Sequence, residues 1–167
     1  ISVLLEAVAL LKKSGKPIPL KVVGDGPERR ALEYRAAQLG IADLTRFTGA
    51  VPPDAVTDEI GDADVFAFPA IEEGLGLAVA EALMLGVPVI AARQGGGVKD
   101  FVSSTGHGRL VDAYDATQMA QEIQAMVGNT DARVAAFNKG EALKRQLDPT
   151  SVAKRFENIY LRALTRA

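Results

Sequence analysis

The chain opens with an amphipathic pattern and then changes to short apolar runs. In residues 1–13 apolar side chains recur every three or four positions, while Glu6, Lys12 and Lys13 fall on the other side, which predicts a helix. The runs that follow are short and almost continuous, as expected of strands that helices cover on both faces. They predict strands at residues 18–23, 44–48, 64–69, 87–91 and 108–111.

Helical segments separate these strands. They are predicted at residues 27–39, 53–60 and 76–85, with a short helical piece at 98–102 and two or three helices in 115–167. Strands that alternate with helices in this way are joined by right-handed crossovers and pair in parallel. We therefore predict one α/β domain over residues 1–167, with a doubly wound, Rossmann-like parallel sheet in three layers and C-terminal helices.

Composition and charge restrict the chemistry. The 167 residues carry 19 Lys and Arg against 21 Asp and Glu, a net charge of −2, which argues against nucleic-acid binding. The sequence has no Cys and one His, so thiolate nucleophiles and Cys- or His-rich metal sites are excluded. No apolar run reaches the ~18 residues of a membrane span and no signal peptide is evident, so we expect a cytoplasmic domain.

The first residues are already helical in pattern. No Met and no capping residue precede Ile1. We interpret the chain as a fragment of a longer, two-domain protein. The alternative is that only the start site is missing.

Ligands of doubly wound sheets bind at the carboxyl ends of the strands, so the loops there are the candidate site. The first such loop begins Gly24-Asp25-Gly26, which half matches the dinucleotide fingerprint G-x-G-x-x-G, with Arg29 in the third glycine position. Asp43 lies at the right distance for a ribose acid but precedes its strand. A nicotinamide- or flavin-binding loop and a simple tight turn both remain open for this segment.

The loop after the third strand carries the strongest signal, with Glu73 in the loop and Glu81 in the helix that follows. Gly74 and Gly76 permit close approach of a ligand to the backbone. The N–H groups of Gly76, Leu77 and Ala78, with the helix dipole, would form a phosphate site.

Glu81 lies ~7.5 Å along the helix from Gly76, where its two oxygens could accept hydrogen bonds from both hydroxyls of a ribose. The competing interpretation makes Glu72 and Glu73 partners of the helix dipole and Glu81 a solvated surface residue.

Two further loop features are less specific. Residues 94–97 contain three glycines after the fourth strand, which would line a ligand or form a flexible loop. His107, between Gly106 and Gly108, is more typical of a turn than of a catalyst.

Taken together, the loops resemble the C-terminal domain of the retaining, family-4 type glycosyltransferases of GT-B fold. The resemblance covers nearly all of the chain, and its most specific part is the pair Glu73 and Glu81 within E-x7-E. The matching segments are residues 23–27, 46–49, 63–69, 73–77, 81–82, 86–91, 96–97 and 108–111.

The resemblance implies a site for a nucleotide-sugar donor. It implies that Glu81 holds the ribose hydroxyls and that Glu73 faces the donor sugar as the catalytic residue. The other implied substrate-binding residues are Gly24, Asp25, Thr48, Gly49, Gly74, Leu75, Gly76 and Leu77. The loop after Thr48 and Gly49 would border the base.

The sequence departs from the family pattern in three places. Ala70 replaces the usual Ser after the strand-end proline, and Asp100 replaces a Glu after the glycine-rich loop. The Arg and Lys that clamp the diphosphate in the family lie upstream of the position of Ile1, as does the N-terminal acceptor domain.

The resemblance therefore predicts the donor-binding half of an enzyme that moves a sugar from a nucleoside diphosphate to an acceptor with retention. It implies no covalent enzyme nucleophile. We also expect no cofactor and no metal, since the D-x-D pair Asp62 and Asp64 lies at the start of its strand, on the wrong side of the sheet. The alternatives are an epimerase-like or non-catalytic nucleotide-binding domain and, last, a nicotinamide-dependent oxidoreductase. The expected partners are the donor and the acceptor domain, with membrane association only through the latter, and we expect this chain alone to transfer no sugar.

Overall fold

The computed structural model describes residues 1–106 and 108–165, so His107 lies outside the described residues. Helices and strands alternate through the first two thirds of the chain. The helices are α1 (Ser2–Lys13), α2 (Arg29–Gln38), α3 (Pro53–Gly61), α4 (Leu77–Met84), α5 (Gly96–Thr105), α6 (Ala116–Met126), α7 (Thr130–Leu147) and α8 (Pro149–Leu164). The strands are β1 (Leu20–Val23), β2 (Thr45–Gly49), β3 (Phe66–Phe68), β4 (Val89–Ala92) and β5 (Arg109–Val111).

The predicted elements all form, and α5 is longer than the sequence indicates. The pattern predicts a short helical piece at residues 98–102, whereas the helix runs from Gly96 to Thr105. Gly106 follows as the C-cap and adopts the left-handed conformation with φ 59°. The helix begins within the glycine run because the following residues, led by Val98, pack into the core.

Every ladder between named strands is parallel, but the strands form two sheets rather than one in the part of the chain that the structure describes. β1 pairs with β2, and β3, β4 and β5 form a second sheet in that order. The α/β fold class is as predicted. The single continuous sheet is not, because no ladder joins β1 or β2 to the other strands within the described residues; α3, which packs with α4, connects the two sheets.

Helices cover both faces of the second sheet. Successive residues of β4 alternate between its faces, with Val89 and Ala91 in one buried cluster and Ile90 in another. The first cluster is completed by α3, α4, α5 and α7, and the second by α1 and α6. The second sheet is therefore the middle of three layers, as the apolar strands predict.

Helix α1 is shared by the two sheets. Leu4 and Ala7 face the cluster that contains Ile90 of β4, whereas Leu5 and Val8 pack in a third cluster with residues of α2 and beside β1 and β2. Helix α1 therefore packs against both sheets, and Leu20 of β1 also reaches the cluster that contains Ile90.

The parallel strands bring the loops of interest to common edges. β3, β4 and β5 run in the same direction, so residues 69–76, 93–95 and 112–115 leave the same edge of their sheet. In the first sheet, Gly24 and Gly49 lie side by side at the carboxyl ends of β1 and β2, where a bridge joins them.

Candidate functional site

The loop between β3 and α4 ends in a left-handed glycine. Gly76 is the N-cap of α4 with φ 69°, a conformation that side chains rarely tolerate. Its N–H donates a hydrogen bond of 3.2 Å to Oε1 of Glu73. The Glu73 carboxylate therefore stands at the N-terminus of α4, where the helix dipole favours a negative charge.

This hydrogen bond corrects one part of the sequence-based phosphate site. The sequence predicts that the Gly76 N–H is open to a ligand, whereas Glu73 occupies it, because the loop folds back by three residues. The amides of Leu77 and Ala78 lie in the first turn of α4, where N–H groups have no acceptor within the helix.

Helix α4 has one buried and one exposed side. Val79, Ala82 and Leu83 are buried in the core, whereas Leu77 and Glu81 are exposed. Residues four positions apart lie on the same face of a helix, so Leu77 and Glu81 are neighbours on the exposed face. Glu81 thus presents its carboxylate to solvent one turn beyond the start of the helix.

The glycine-rich loop after β4 lies against the loop that carries Glu73. Carbonyl oxygens of Glu73 and Gly74 approach the backbone of Gly96 and Gly97 so closely that neither glycine has room for a β-carbon. Of the other predicted residues here, Gly74 and Leu75 are exposed. The structure therefore brings residues 73–77 and 95–97 together at one edge.

A second group of predicted residues lies at the carboxyl edge of the first sheet. Gly24, with φ 115°, donates from its N–H to the carbonyl oxygen of Gly49 at 3.0 Å. The hydroxyl of Thr48 donates to the carbonyl oxygen of Gly49 at 2.8 Å. The carboxylate of Asp25 accepts hydrogen bonds from the Gly26 N–H at 2.8 Å and from Arg29 at 3.2 Å.

Arg29 is central to this second group, although the sequence reveals it only as the residue in the third glycine position of the fingerprint. Its guanidinium donates to Glu33 at 2.8 Å, to Asp25 and to the carbonyl oxygen of Phe47 at 3.4 Å. The hydrogen bond to Glu33, and then the contact with Asp25, raise the pKa of Arg29. A β-carbon at Gly49 would stand only 2.7 Å from Nη1 of Arg29.

The acid that the dinucleotide interpretation requires does not lie beside the first loop. Asp43, the candidate ribose acid, precedes β2 and pairs with Lys12 of α1, Nζ to Oδ1 at 2.7 Å. The carboxylate therefore lies at the edge opposite Gly24 and Gly49.

The candidate D-x-D pair also lies away from the site. Asp62 follows the last residue of α3, and Asp64 precedes β3. Oδ1 of Asp64 lies 3.8 Å from Nη1 of Arg133 in α7. In residues 1–106 and 108–165, no three His, Asp or Glu side chains are grouped as metal ligands would be. Two shallow depressions lie elsewhere, one between α1 and α6 and one beside Asp64.

Within the described ranges, no helix combines the length and the apolar character that crossing a bilayer requires.

Comparisons with known proteins agree with the loop motifs. A family model described as "Glycosyl transferases group 1" matches residues 1–142. D-inositol 3-phosphate glycosyltransferase of Corynebacterium urealyticum is 32% identical over 165 residues, which cover 95% of this chain and 39% of the relative. The chain thus spans about two fifths of the length of that relative.

Solved structures share the fold. HepE of Anabaena in complex with UDP superposes with a TM-score of 0.80 at 21% identity, over 96% of this chain and 44% of HepE. The C-terminal domain of LpcC, a glycosyl transferase group 1 family protein from Francisella tularensis, gives a TM-score of 0.71 at 20% identity, over 87% of this chain and 77% of that domain.

Proposed function

Because this chain belongs to the group 1 glycosyl transferase family, we propose that it forms the C-terminal, donor-binding part of an enzyme that transfers a sugar from a nucleoside diphosphate to an acceptor. The observation that carries the proposal is the arrangement of Glu73 and Glu81 around the start of α4, at the carboxyl edge of the second sheet. One carboxylate caps the helix and the other stands exposed on its surface.

Glu81 is proposed to hold the donor ribose. Glu81 is exposed, and within residues 1–106 and 108–165 its carboxylate has no ion-pair or hydrogen-bond partner. A carboxylate can accept from two hydroxyl groups at once, which matches the 2′ and 3′ hydroxyls of a ribose. Leu77, which is also exposed on this face, would offer an apolar surface to the same ligand.

Glu73 is proposed to position the donor sugar. Its carboxylate is half-buried and already bound to the Gly76 N–H, so its orientation is set before a ligand arrives. The backbone of Gly74, Leu75 and Gly76 would surround the sugar and its phosphate. Preorganised groups of this kind raise turnover more than affinity.

The group around Gly24 and Gly49 is proposed to border the base. Asp25 is held by Arg29 and by the Gly26 N–H, and Thr48 is fixed against Gly49. These contacts make a rigid edge with exposed backbone at Gly24. Arg29 would strengthen the edge by joining both strand-end loops.

The proposed reaction proceeds with retention and uses neither a covalent enzyme nucleophile nor a metal or cofactor. The leaving phosphate would help to deprotonate the acceptor. The acceptor domain of the longer protein, rather than this chain, would bind the acceptor and provide any association with a membrane.

The proposal is tested by titrating the ¹⁵N-labelled chain with UDP, GDP and ADP, and with NAD as the competing ligand. At least one nucleoside diphosphate should shift the amides of residues 74–78 and of Gly24 and Gly49. NAD, which contains the adenosine diphosphate group, should shift them no more than ADP does. Glu157→Gln, an exposed carboxylate variant in α8, should bind like the original chain. Absence of binding to every nucleoside diphosphate, or binding to NAD alone, would overturn the proposal.

A further inference from the structure

Three consecutive glycines lie so close to the loop that carries Glu73 that a residue with a β-carbon would collide with it. A β-carbon would stand 2.8 Å from the Ala70 carbonyl oxygen at Gly95, 2.3 Å from that of Glu73 at Gly96, and 2.3 Å from that of Gly74 at Gly97. Real β-carbons essentially never approach another heavy atom within 3.0 Å.

The atoms that would be struck belong to the backbone. A flexible side chain can rotate away from an added methyl group, but a carbonyl oxygen moves only with its whole peptide unit. Any side chain at Gly96 or Gly97 would therefore displace the segment that carries Glu73. By contrast, a β-carbon at Gly61, at the end of α3, would meet nothing within 4 Å.

The same loop is fixed at its other end. A β-carbon at Gly76 would stand 2.3 Å from Cγ2 of Val98, in the first turn of α5. Val98 is fully buried, at 0% exposure, in the cluster that contains Val89 of β4. The start of α5 is therefore anchored in the core and contacts the loop on both sides of Glu73.

We propose that residues 95–97 are a positioning element for Glu73, which lets the backbone of α5 hold the loop so that the Glu73 carboxylate stays on the Gly76 N–H. The inference rests on the proposed function, because the consequence for donor sugar depends on the role of Glu73 there. The glycines themselves need not touch a ligand.

Gly97→Ala is the sharpest variant, because Gly97 has an ordinary φ and an added methyl group strains only the contact with Gly74. The readout is the amide proton of Gly76, which the charge-assisted hydrogen bond that it donates to Glu73 shifts downfield. Glu73→Gln should move this resonance in the original chain. In the Gly97→Ala background the same substitution should move it by less than about half as much, since the bond is already weakened.

Hydrogen exchange gives a second measurement, in which the Gly76 amide should exchange about tenfold faster in Gly97→Ala. Gly61→Ala is the matched control and should change neither quantity. If Gly97→Ala does not fold, Gly95→Ala takes its place, because its β-carbon would stand 2.8 Å rather than 2.3 Å from the nearest carbonyl oxygen. An effect of Glu73→Gln that is equal in both backgrounds, with unchanged exchange, would overturn the positioning role.

Failure of the proposed function has a different signature. It would appear as no binding of UDP, GDP or ADP to the original chain, whatever the Gly76 resonance does. If the chain binds a nucleoside diphosphate, Gly97→Ala should still bind it, with a loss confined to the phosphate contacts of the displaced loop, because Glu81 lies outside that loop. It should lose whatever additional affinity the attached sugar supplies.

Discussion

Gly140 of α7 lies against the carbonyl oxygen of Leu83 in α4, and a β-carbon there would stand 2.5 Å from that oxygen. Gly86, just after α4, shows the reciprocal relationship, since its β-carbon would stand 2.5 Å from Cα of Phe137. Helix α4, which carries Glu81, and helix α7 therefore meet backbone to backbone.

Gly140→Ala should destabilise the protein by about 1–3 kcal/mol, because the added methyl group forces the two helices apart. Helix propensity alone would act in the opposite direction, by roughly 1 kcal/mol. Gly61→Ala, with open space around it, should be neutral or stabilising. Urea unfolding of both variants measures the difference, and equal effects would contradict the close contact.

Glu81→Gln should weaken a sugar nucleotide and the free nucleoside diphosphate to the same extent, because the ribose is present in both. The loss of hydrogen bonds to a charged acceptor corresponds to ~1.5–3 kcal/mol, or about tenfold to a hundredfold in affinity. Titration by NMR or calorimetry measures it. Unchanged affinity would support the competing interpretation, in which Glu81 is a solvated carboxylate on the surface of α4.

Glu73→Gln should leave the affinity for free nucleoside diphosphate nearly unchanged, because its proposed partner is the donor sugar. Turnover should fall by about a hundredfold, as expected when a reacting centre is displaced. The activity is measured in a chimera that joins this chain to the remaining part of the Corynebacterium urealyticum relative. A loss of nucleotide affinity as large as that of Glu81→Gln would refute the division of roles.

Lys12→Met should alter the acid stability of the protein. The hydrogen bond from Lys12, with its positive charge, lowers the pKa of Asp43. A carboxylate with a lowered pKa stabilises the fold above its unfolded pKa of ~3.9, and the contribution is lost as pH falls through the folded value. In Lys12→Met the pKa of Asp43 should rise toward the unfolded value, so the free energy of unfolding should fall less between pH 7 and pH 3.

An NMR titration of the Asp43 carboxyl carbon measures that shift, and unfolding between pH 7 and pH 3 measures its effect on stability. Lys13→Met, which removes the neighbouring exposed charge, is the control. An Asp43 pKa that does not respond to the loss of Lys12 would show that the ion pair is not populated in solution.

Helix α8 should tolerate polar substitutions on its apolar side. None of its described residues is buried, and Ile159 is 59% exposed. Ile159→Ser should therefore change the free energy of unfolding by less than about 0.5 kcal/mol. Leu143→Ala in α7, a core position at 7% exposure, should lose about 2–5 kcal/mol. A large effect at Ile159 would reveal contacts that α8 makes in solution.

The order of strands and helices follows from the sequence because each element carries its own local signal. Alternating burial in β4 and the left-handed glycines at helix ends both follow from short-range patterns. The division into two sheets depends on which strands meet through space, and no local pattern encodes it. The family and the edge location of Glu73 were likewise readable from motifs.

The detailed geometry of the site was not readable in this way. Capture of the Gly76 N–H by Glu73 and the bridging position of Arg29 depend on side-chain rotamers and on loops brought together from distant parts of the chain. The glycines of residues 95–97 suggested a ligand-lining loop. Their contact with the Glu73 backbone instead gives them a steric reason within the protein itself.

The division of the strands has a consequence for handling the protein. A sheet of order β3-β4-β5 leaves β3 as an edge, and its three residues are Phe66, Ala67 and Phe68. Uncharged edge strands can template pairing with a second molecule, whereas the Lys21 charge on β1 opposes it. Since β3 is only three residues long, and since Ala67 packs against the cluster that contains Ile90, this edge can pair with a second molecule only while the chain is incompletely folded.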